Sequence, residues 1–515
     1  MTRRKDLRGR RWAVAAAAVV LGGGMVPASA ADLGGDCCAD LEERIAELEA
    51  TTARKGNRKV KLEVSGLVNE ALLFWDDGDR SDVYVGTNDA ARTRFRFKGE
   101  GKITDDLKAG YLLEIGVRAN RLNRTDQFND NGITNNTTGG ESANVLDVRH
   151  STWFLSSKTY GKLYVGKTDQ ATERITEVNT VNTSHFLKHY GRWNGSLVLR
   201  LKNGSTGTGA YEGYAIRAGQ DPTRQNGATS ANFRTWGNIL PQSGQSGEGV
   251  PGEGDRWNLV RVETPEFEGV LKGFSVSAAW GEDDFWDAAV RYTGEQAGFK
   301  FAGGIGYGDY AGTGSLNDRG CAIDASGSGT AQNAGGKADC QTLGLSGSIQ
   351  HVETGLFVSG AYGIKWDRNR QDTFDLNVAG AGAIDDEDSF YYVQAGIERK
   401  FNSLGKTTIY GEYEHYDTGA GISGSGLTAT GRPASFNQNN GFARATGFLA
   451  GADIDVWGFG INQQVDSAAL DLYLGYRYSE ADLLVTNNGS RSGGAATTYE
   501  VEGVHLVMTG AQIKF

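Results

Sequence analysis

The sequence predicts an all-β chain: a transmembrane antiparallel β-barrel of about sixteen strands behind a short N-terminal helical segment or coiled coil. Three observations point there. Apolar and polar side chains alternate with a period of two from Lys59 to Phe515, the pattern of strands with two unlike faces. The chain holds 75 Gly, 21 Phe and 20 Tyr but only 6 Pro, and its mean hydropathy is −0.42. That balance suits strands that are apolar only at alternate positions. Short turns also alternate with long polar inserts, as a barrel with one tight and one elaborate rim requires.

Residues 1–30 read as a secretory signal peptide. Arg3, Arg4, Lys5, Arg8, Arg10 and Arg11 precede an apolar run from Trp12 to Leu21, and Ala28-Ser29-Ala30 offers a cleavage site. Thr2-Arg3-Arg4 followed by Leu7 hints at twin-arginine export, but an arginine-rich start produces that pair by chance, and general secretion is the reading taken. The formal net charge is −11, and removing this basic segment makes it more negative. An acidic chain argues against nucleic acid as a partner. Beyond the signal no apolar stretch reaches the roughly 18 residues of a spanning helix. A soluble exported protein meets the same tests, but no Pro- or Ser-rich linker divides the chain, so one barrel over 58–515 accounts for its length better than several soluble cores.

Residues 31–57 differ in kind. Leu41, Ile45 and Leu48 recur at helical spacing within Asp40–Arg54, giving a short amphipathic helix on the periplasmic side. So short a helix is marginal alone. It either packs with copies from neighbouring subunits or lies on the end of the barrel.

In the barrel, Val60, Leu62 and Val64 alternate with Lys59, Lys61 and Glu63. Arg92, Arg94, Arg96 and Lys98 then occupy every second position, opposite Thr93, Phe95 and Phe97. Four cations on one face need water or counter-charge. Taken alone, this strand fits the solvated face of a two-layer sheet as well as a wall around an aqueous lumen. Thr104-Asp105-Asp106 joins it to Leu107–Arg118, and further strands follow at Lys162–Lys167, Phe299–Tyr307, Leu343–Ile349, Leu356–Trp366, Tyr391–Arg399 and Leu470–Ser479. Polar inserts lie at Asn120–Asn144, Gly308–Asp339, Asp417–Ala452 and Ala481–Thr498. Ala511, Ile513 and the terminal Phe515 share the last strand's apolar face.

Several segments resemble a known family. Gly35-Asp36-Cys37-Cys38-Ala39-Asp40-Leu41-Glu42-Glu43-Arg44-Ile45-Ala46-Glu47-Leu48-Glu49, with Asn57-Arg58-Lys59-Val60 and Val64-Ser65-Gly66, is similar to the opening of alphaproteobacterial (rhizobial-type) outer-membrane porins. Ala279–Asp284, Gln464–Leu470 and Gly510–Phe515 also resemble that family. The resemblance implies a sixteen-stranded homotrimer in the Gram-negative outer membrane, passing ions and small hydrophilic solutes by passive diffusion, with outer-membrane lipids around it. The inserts around 206–254 and 419–450 look expanded relative to the family. It further implies that the loop after the fifth strand, Lys162–Lys167, folds inward from near Thr168. Asp169, Glu173 and Glu177 are spaced four apart there and would share one helical face. Opposed to Arg92, Arg94, Arg96 and Lys98, they would set a field across a narrow aqueous gap. The other reading is that these carboxylates face water or bond locally.

Cys321 and Cys340 lie in one predicted external loop, and an exported compartment permits a disulfide between them. The adjacent Cys37 and Cys38 have no neighbouring ligand that completes a metal site; a bridge between subunits is the open option. His185 and His189 are four apart, but no Glu follows His185 as a zinc-protease motif requires. His150, His351, His415 and His505 are scattered, and no glycine-rich loop opens a helix after a strand. No catalytic, cofactor or metal site is expected. The alternatives are a substrate-specific channel, for which Trp193, Tyr211, Tyr214 and Trp236 would be candidate path residues, and a barrel enzyme or surface-binding barrel with a plugged lumen.

Overall fold

The structure, a computed structural model, describes residues 60–117, 121–128, 146–183, 193, 195–202, 216–217, 234–241, 250–282, 285–311, 321, 338–368, 386–419, 435–439, 444–487 and 496–515. The predicted N-terminal helix, Cys37, Cys38, His185, His189, Tyr211 and Tyr214 lie outside these residues.

One antiparallel sheet closes on itself as a 16-stranded barrel. In chain order the barrel strands are β1 (Lys61–Asp76), β2 (Ser81–Thr87 and Arg94–Lys102), β3 (Leu107–Val117), β4 (Leu146–Ser157), β5 (Gly161–Asp169), β6 (Arg256–Glu263), β7 (Phe274–Gly281) and β8 (Phe285–Gln296). They continue with β9 (Phe299–Tyr310), β10 (Cys340–His351), β11 (Leu356–Asp367), β12 (Glu387–Arg399), β13 (Thr407–Thr418), β14 (Arg444–Val465), β15 (Leu470–Asn487) and β16 (Ala496–Lys514). The two pieces of β2 are one strand because both pair with β1, at Glu70–Asp76 and at Lys61–Leu67. Ile216–Arg217 and Ser435–Asn439 form a short extension beyond the barrel.

Polarity is inverted relative to a soluble protein. On β1, Leu62, Val64, Val68, Leu72 and Phe74 are exposed, whereas Asn69 at mid-strand is wholly buried. Inner faces elsewhere carry Glu114, Asp287, Ser346, Ser348, Ser359, Gln394, Glu398 and Asn462, all buried, while Trp153, Val262, Trp280, Ile305, Val358 and Phe459 stand exposed outside. An apolar outer belt around a polar interior is the arrangement of a barrel standing in a bilayer. Phe459, Tyr476, Tyr478, His505 and Trp457 form an outer aromatic series with neighbouring ring centroids 4.8–6.2 Å apart. No helix among the described residues is long and apolar enough to cross a membrane.

Connections at 103–106, 158–160, 264–273, 297–298, 352–355, 400–406 and 466–469 are short and share one rim. The strand ends that flank 77–80, 118–145, 170–255, 282–284, 311–339, 368–386, 419–443 and 488–495 share the other. Several strands outrun the period-two reading. β14 starts at Arg444 and β15 reaches Asn487, inside segments expected to be inserts. On the outer faces Asp453, Asp455 and Glu480 border those segments and Asp482 lies within one, so the apolar half of the alternation breaks down there and the sequence looks like loop.

Closure is made by β1 against β16, from Leu67↔Lys514 to Asp76↔His505. Phe515 completes it: the Gly66 N–H donates to the Phe515 carbonyl at 2.9 Å, and the Phe515 N–H donates to Gly66 at 3.1 Å. The Phe515 ring lies where a Cβ on residue 66 would stand, as does the Arg94 carbonyl. Cys321 and Cys340 are disulfide-bonded, Cα atoms 6.0 Å apart, joining the start of β10 to the preceding loop beside Phe285 and Tyr310.

Gly66→Val is expected to destabilise the barrel by about 1–3 kcal/mol through overpacking at the seam, read as a lower denaturant midpoint for the refolded protein in detergent. Cys321→Ser with Cys340→Ser should cost about 2–4 kcal/mol, and reducing agent should shift the wild type but not the double variant.

Candidate functional site

The inner wall near mid-height begins with β2. Phe95 and Phe97 turn outward with their rings 5.8 Å apart, so Arg94, Arg96 and Lys98 face the lumen. Across the ladders Arg96 stands opposite Ser65 and Glu114, and Lys98 opposite Glu63 and Leu112. Glu114 is 1% exposed and gathers three guanidiniums. Arg96 Nε donates to its Oε2 at 2.8 Å, Arg149 Nε to Oε1 at 2.7 Å, and Arg94 Nη1 lies 3.8 Å from Oε1. Arg96 and Lys98 remain 43% and 44% exposed.

Arg92 sits differently from its neighbours in the sequence pattern. Between the pieces of β2 the chain leaves the sheet for a short 3-10 turn at Asp89–Ala91, capped by Asn88. Arg92 follows it, its side chain 2% exposed, pairing with Asp89 at 3.0 Å and Asp147 at 3.5 Å. Asp89 also holds Arg121 at 3.0 Å. Asn69 Nδ2 donates to the Ala91 carbonyl, and Tyr473 Oη bonds both Asn69 and Asn88. Those contacts tie the excursion to β1 and β15.

The long connection after the fifth strand enters the barrel. Its ends meet where the Gln170 N–H donates to the Asp255 carbonyl and the Asp255 N–H to Gln170 Oε1. Residues 170–183 then run along the inner wall. The Thr172 N–H and hydroxyl donate to Asp287 of β8 at 2.7 Å each. Ser346 of β10 takes up Ile175 and Val178, and Thr180 and Asn179 meet Ser348. Thr183 donates to Gln394 of β12 at 3.0 Å. Gly306 and Gly344 lie directly beneath, where a Cβ would come within 2.7–2.8 Å of Thr172 and Ile175. Small residues on these strands let the loop lie flat.

Asp169, Glu173 and Glu177 do not share a helical face. Ala171–Arg174 is a turn, Arg174 takes a positive φ of 59°, and only one 3-10 turn follows at Ile175–Glu177. Asp169 lies 3.6 Å from both His150 Nε2 and Arg256 Nη1; Glu173 pairs with Arg256 at 3.0 Å. Glu177 pairs with Arg174 at 2.7 Å inside the loop. Arg149, Arg174 and Arg256 all approach Arg94 closely enough to repel it. Burial pushes the Glu173 carboxyl up, to about 8, against the opposing pull of Arg256.

More of the same connection occupies the barrel farther on. Trp193, Leu197, Leu199, Trp236 and Ile239 pack with the inward Leu73, Tyr416, Ile454, Leu483 and Val501 in one apolar cluster. Arg200 and Lys202 bond the backbone of β16 at Glu502 and Glu500. Trp193 covers Arg477, whose guanidinium binds Glu412 at 2.7 Å and Glu414 at 3.0 Å. Trp193 and Trp236 are each 2% exposed, so neither lines an open path. Glu114, Arg149, Arg174, Arg256 and Arg477 were not singled out from sequence. Glu114 does carry a signal, as a carboxylate among the apolar residues of Leu107–Val117; Arg149, Arg256 and Arg477 are single cations whose facing partners are remote in the chain, and Arg174 stands three residues before Glu177. Among the described residues no group of three or more His, Cys, Asp or Glu is arranged to hold a metal.

No family model matches the chain, and no curated protein matches it. Among solved structures it is similar to the anion-selective porin from Comamonas acidovorans, at 15% identity and TM-score 0.46 over 88% of this chain and 100% of that one. It is similar to the trimer form of OmpT, an outer-membrane protein of Vibrio cholerae, at 12% identity and TM-score 0.43 over 88% and 99%. It is also similar to Salmonella typhi OmpF in complex with daunomycin, at 12% identity and TM-score 0.40 over 89% and 99%.

Proposed function

We propose that the chain is an outer-membrane porin: a water-filled, non-enzymatic channel for passive diffusion of ions and small hydrophilic solutes, exported by a cleaved signal peptide and assembled as a homotrimer. The observation that carries this reading is the loop 170–183 laid against the inner wall of a closed barrel that is polar inside and apolar outside. Such a loop narrows a lumen without sealing it, and it brings charged groups from loop and wall together. Arg94, Arg96 and Lys98 supply the wall's positive side, with Arg92 bracing the β2 excursion behind them. Asp169, Glu173 and Glu177 supply the loop's carboxylates, held by Arg256 and Arg174. The rhizobial-type assignment within the porins rests on the N-terminal resemblance. The second reading is a substrate-specific channel, favoured by the apolar packing of 193–202 and 234–241 inside the barrel, which leaves less open section. Liposome swelling with sugars of graded size separates the two, since a general channel sorts them by size alone.

Purified protein in a planar bilayer should conduct in steps that come in triplets, and a folded protein that leaves the bilayer silent would defeat the porin reading. Arg94→Glu or Arg96→Glu should move the reversal potential toward cation preference; unchanged potentials in both would remove these residues from the narrow region. Selectivity should also respond to pH. With its pKa raised, Glu173 is neutral on the acid side and gains charge as pH rises through about 8. Cation preference should therefore increase from pH 6 to pH 9, and Glu173→Gln should flatten that profile.

A further inference from the structure

Two carboxylates on the inner wall each serve several cations. Glu114 is shared by Arg94, Arg96 and Arg149. Nearer the rim of short turns, Glu100 pairs with Lys108 at 2.6 Å and Lys98 at 3.9 Å, and it faces Lys61 across the β1–β2 ladder. Lys162 of β5 faces Glu263 across the β5–β6 ladder. Lys102 stands directly opposite Lys108 on the same face, a like-charge pairing that costs stability on a strand and that is relieved by Asp105 on Lys102 and Glu100 on Lys108. Lys98, Lys102 and Lys108 are 44, 64 and 49% exposed.

The far wall at the same rim is built otherwise. Glu398 meets Lys406 at 2.8 Å, and Glu295 faces Lys300. Each carboxylate there has one lysine. The loop's acids redress the balance only in part, because Glu177 is bound by Arg174, and Asp169 and Glu173 share Arg256. Among the described residues on the β2–β5 side, Lys61, Lys98, Lys102, Lys108 and Lys162 outnumber Glu63, Glu100, Asp105 and Glu263, and Arg94, Arg96 and Arg149 outnumber Glu114, so positive charge is in excess from the turn rim up to Arg94.

Resting on the porin reading, we infer that this one-sided excess makes the channel select small anions, with Lys102, Lys98, Arg96 and Arg94 as successive stations along β2. Alternate residues of a strand repeat about every 6.6–6.8 Å, so an anion at Lys98 meets Arg96 and then Arg94 before it has wholly left the last, while Glu100 separates Lys98 from Lys102 at the rim. Several weak stations favour entry without trapping. Low-dielectric walls focus their field into the water between them. Oxyanions of higher charge, such as phosphate esters, would engage two stations at once and dwell longer.

Reversal potentials of the wild type in a KCl gradient at about 0.1 M salt should show anion preference, fading toward about 1 M as the screening length shrinks to about 3 Å. Lys98→Glu with Lys102→Glu should lower the anion-to-cation permeability ratio by at least about threefold, and Glu100→Gln should raise it. Tripolyphosphate applied to the short-turn side should block the wild-type channel at concentrations where spermine does not, a readout that needs no variant. A conducting wild type that prefers cations or neither ion, or that is blocked by spermine instead, overturns the inference and leaves the porin standing. A folded protein that never conducts overturns both.

Discussion

A sheet that stands in lipid has no water to satisfy an open edge, so its first strand must pair with its last. The seam between β1 and β16 meets that demand, and the rest of the molecule is arranged around it. Once the ring is closed, alternate residues have no choice of environment. One set faces hydrocarbon and the other faces the lumen, and a register slip of one residue would exchange them everywhere. The terminal Phe515 bonds Gly66 on both sides of the backbone and seats its ring over the missing Cβ, which holds the last pair in register.

Inside the ring, charge is managed by sharing rather than by pairing. Glu114 lies buried among three guanidiniums, and the cost of desolvating it is offset by charge-assisted bonds on both oxygens. Arg477 shows the converse arrangement, one guanidinium held by Glu412 and Glu414 beneath Trp193. The first cluster keeps exposed cations on the lumen, whereas the second is covered. A covered cluster fixes structure; an exposed one sets the field in the water beside it.

The connection 170–255 gives the interior its shape. Its first part is polar and runs over serines and glycines of β9 and β10. Farther along, Trp193, Leu197, Leu199, Leu201, Trp236 and Ile239 dock on an apolar sector of the wall. That sector departs from the simple rule of polar inside and apolar outside. Leu483, Ile454 and Val501 are inward yet buried, because Trp193, Leu199 and Trp236 cover them. One chain segment thus lines and fills the same barrel.

Much of this was written locally in the sequence. Period-two alternation is a property of neighbouring residues, so strand existence, the inward face of Arg94, Arg96 and Lys98, the fifth strand and the number of strands were all legible. The pairing of Cys321 with Cys340 was legible from compartment and proximity. Tertiary structure alone decided which charges meet. The four-residue spacing of Asp169, Glu173 and Glu177 suggested one helical face, but side chains of β8 and β10 hold this stretch to the wall and Arg174 turns it through a positive φ. Arg92 kept step with the ladder in sequence and left it in space, because the excursion at Asp89–Ala91 interrupts β2. Alternation says which way a side chain points; only closure and the inward loop say what stands opposite it.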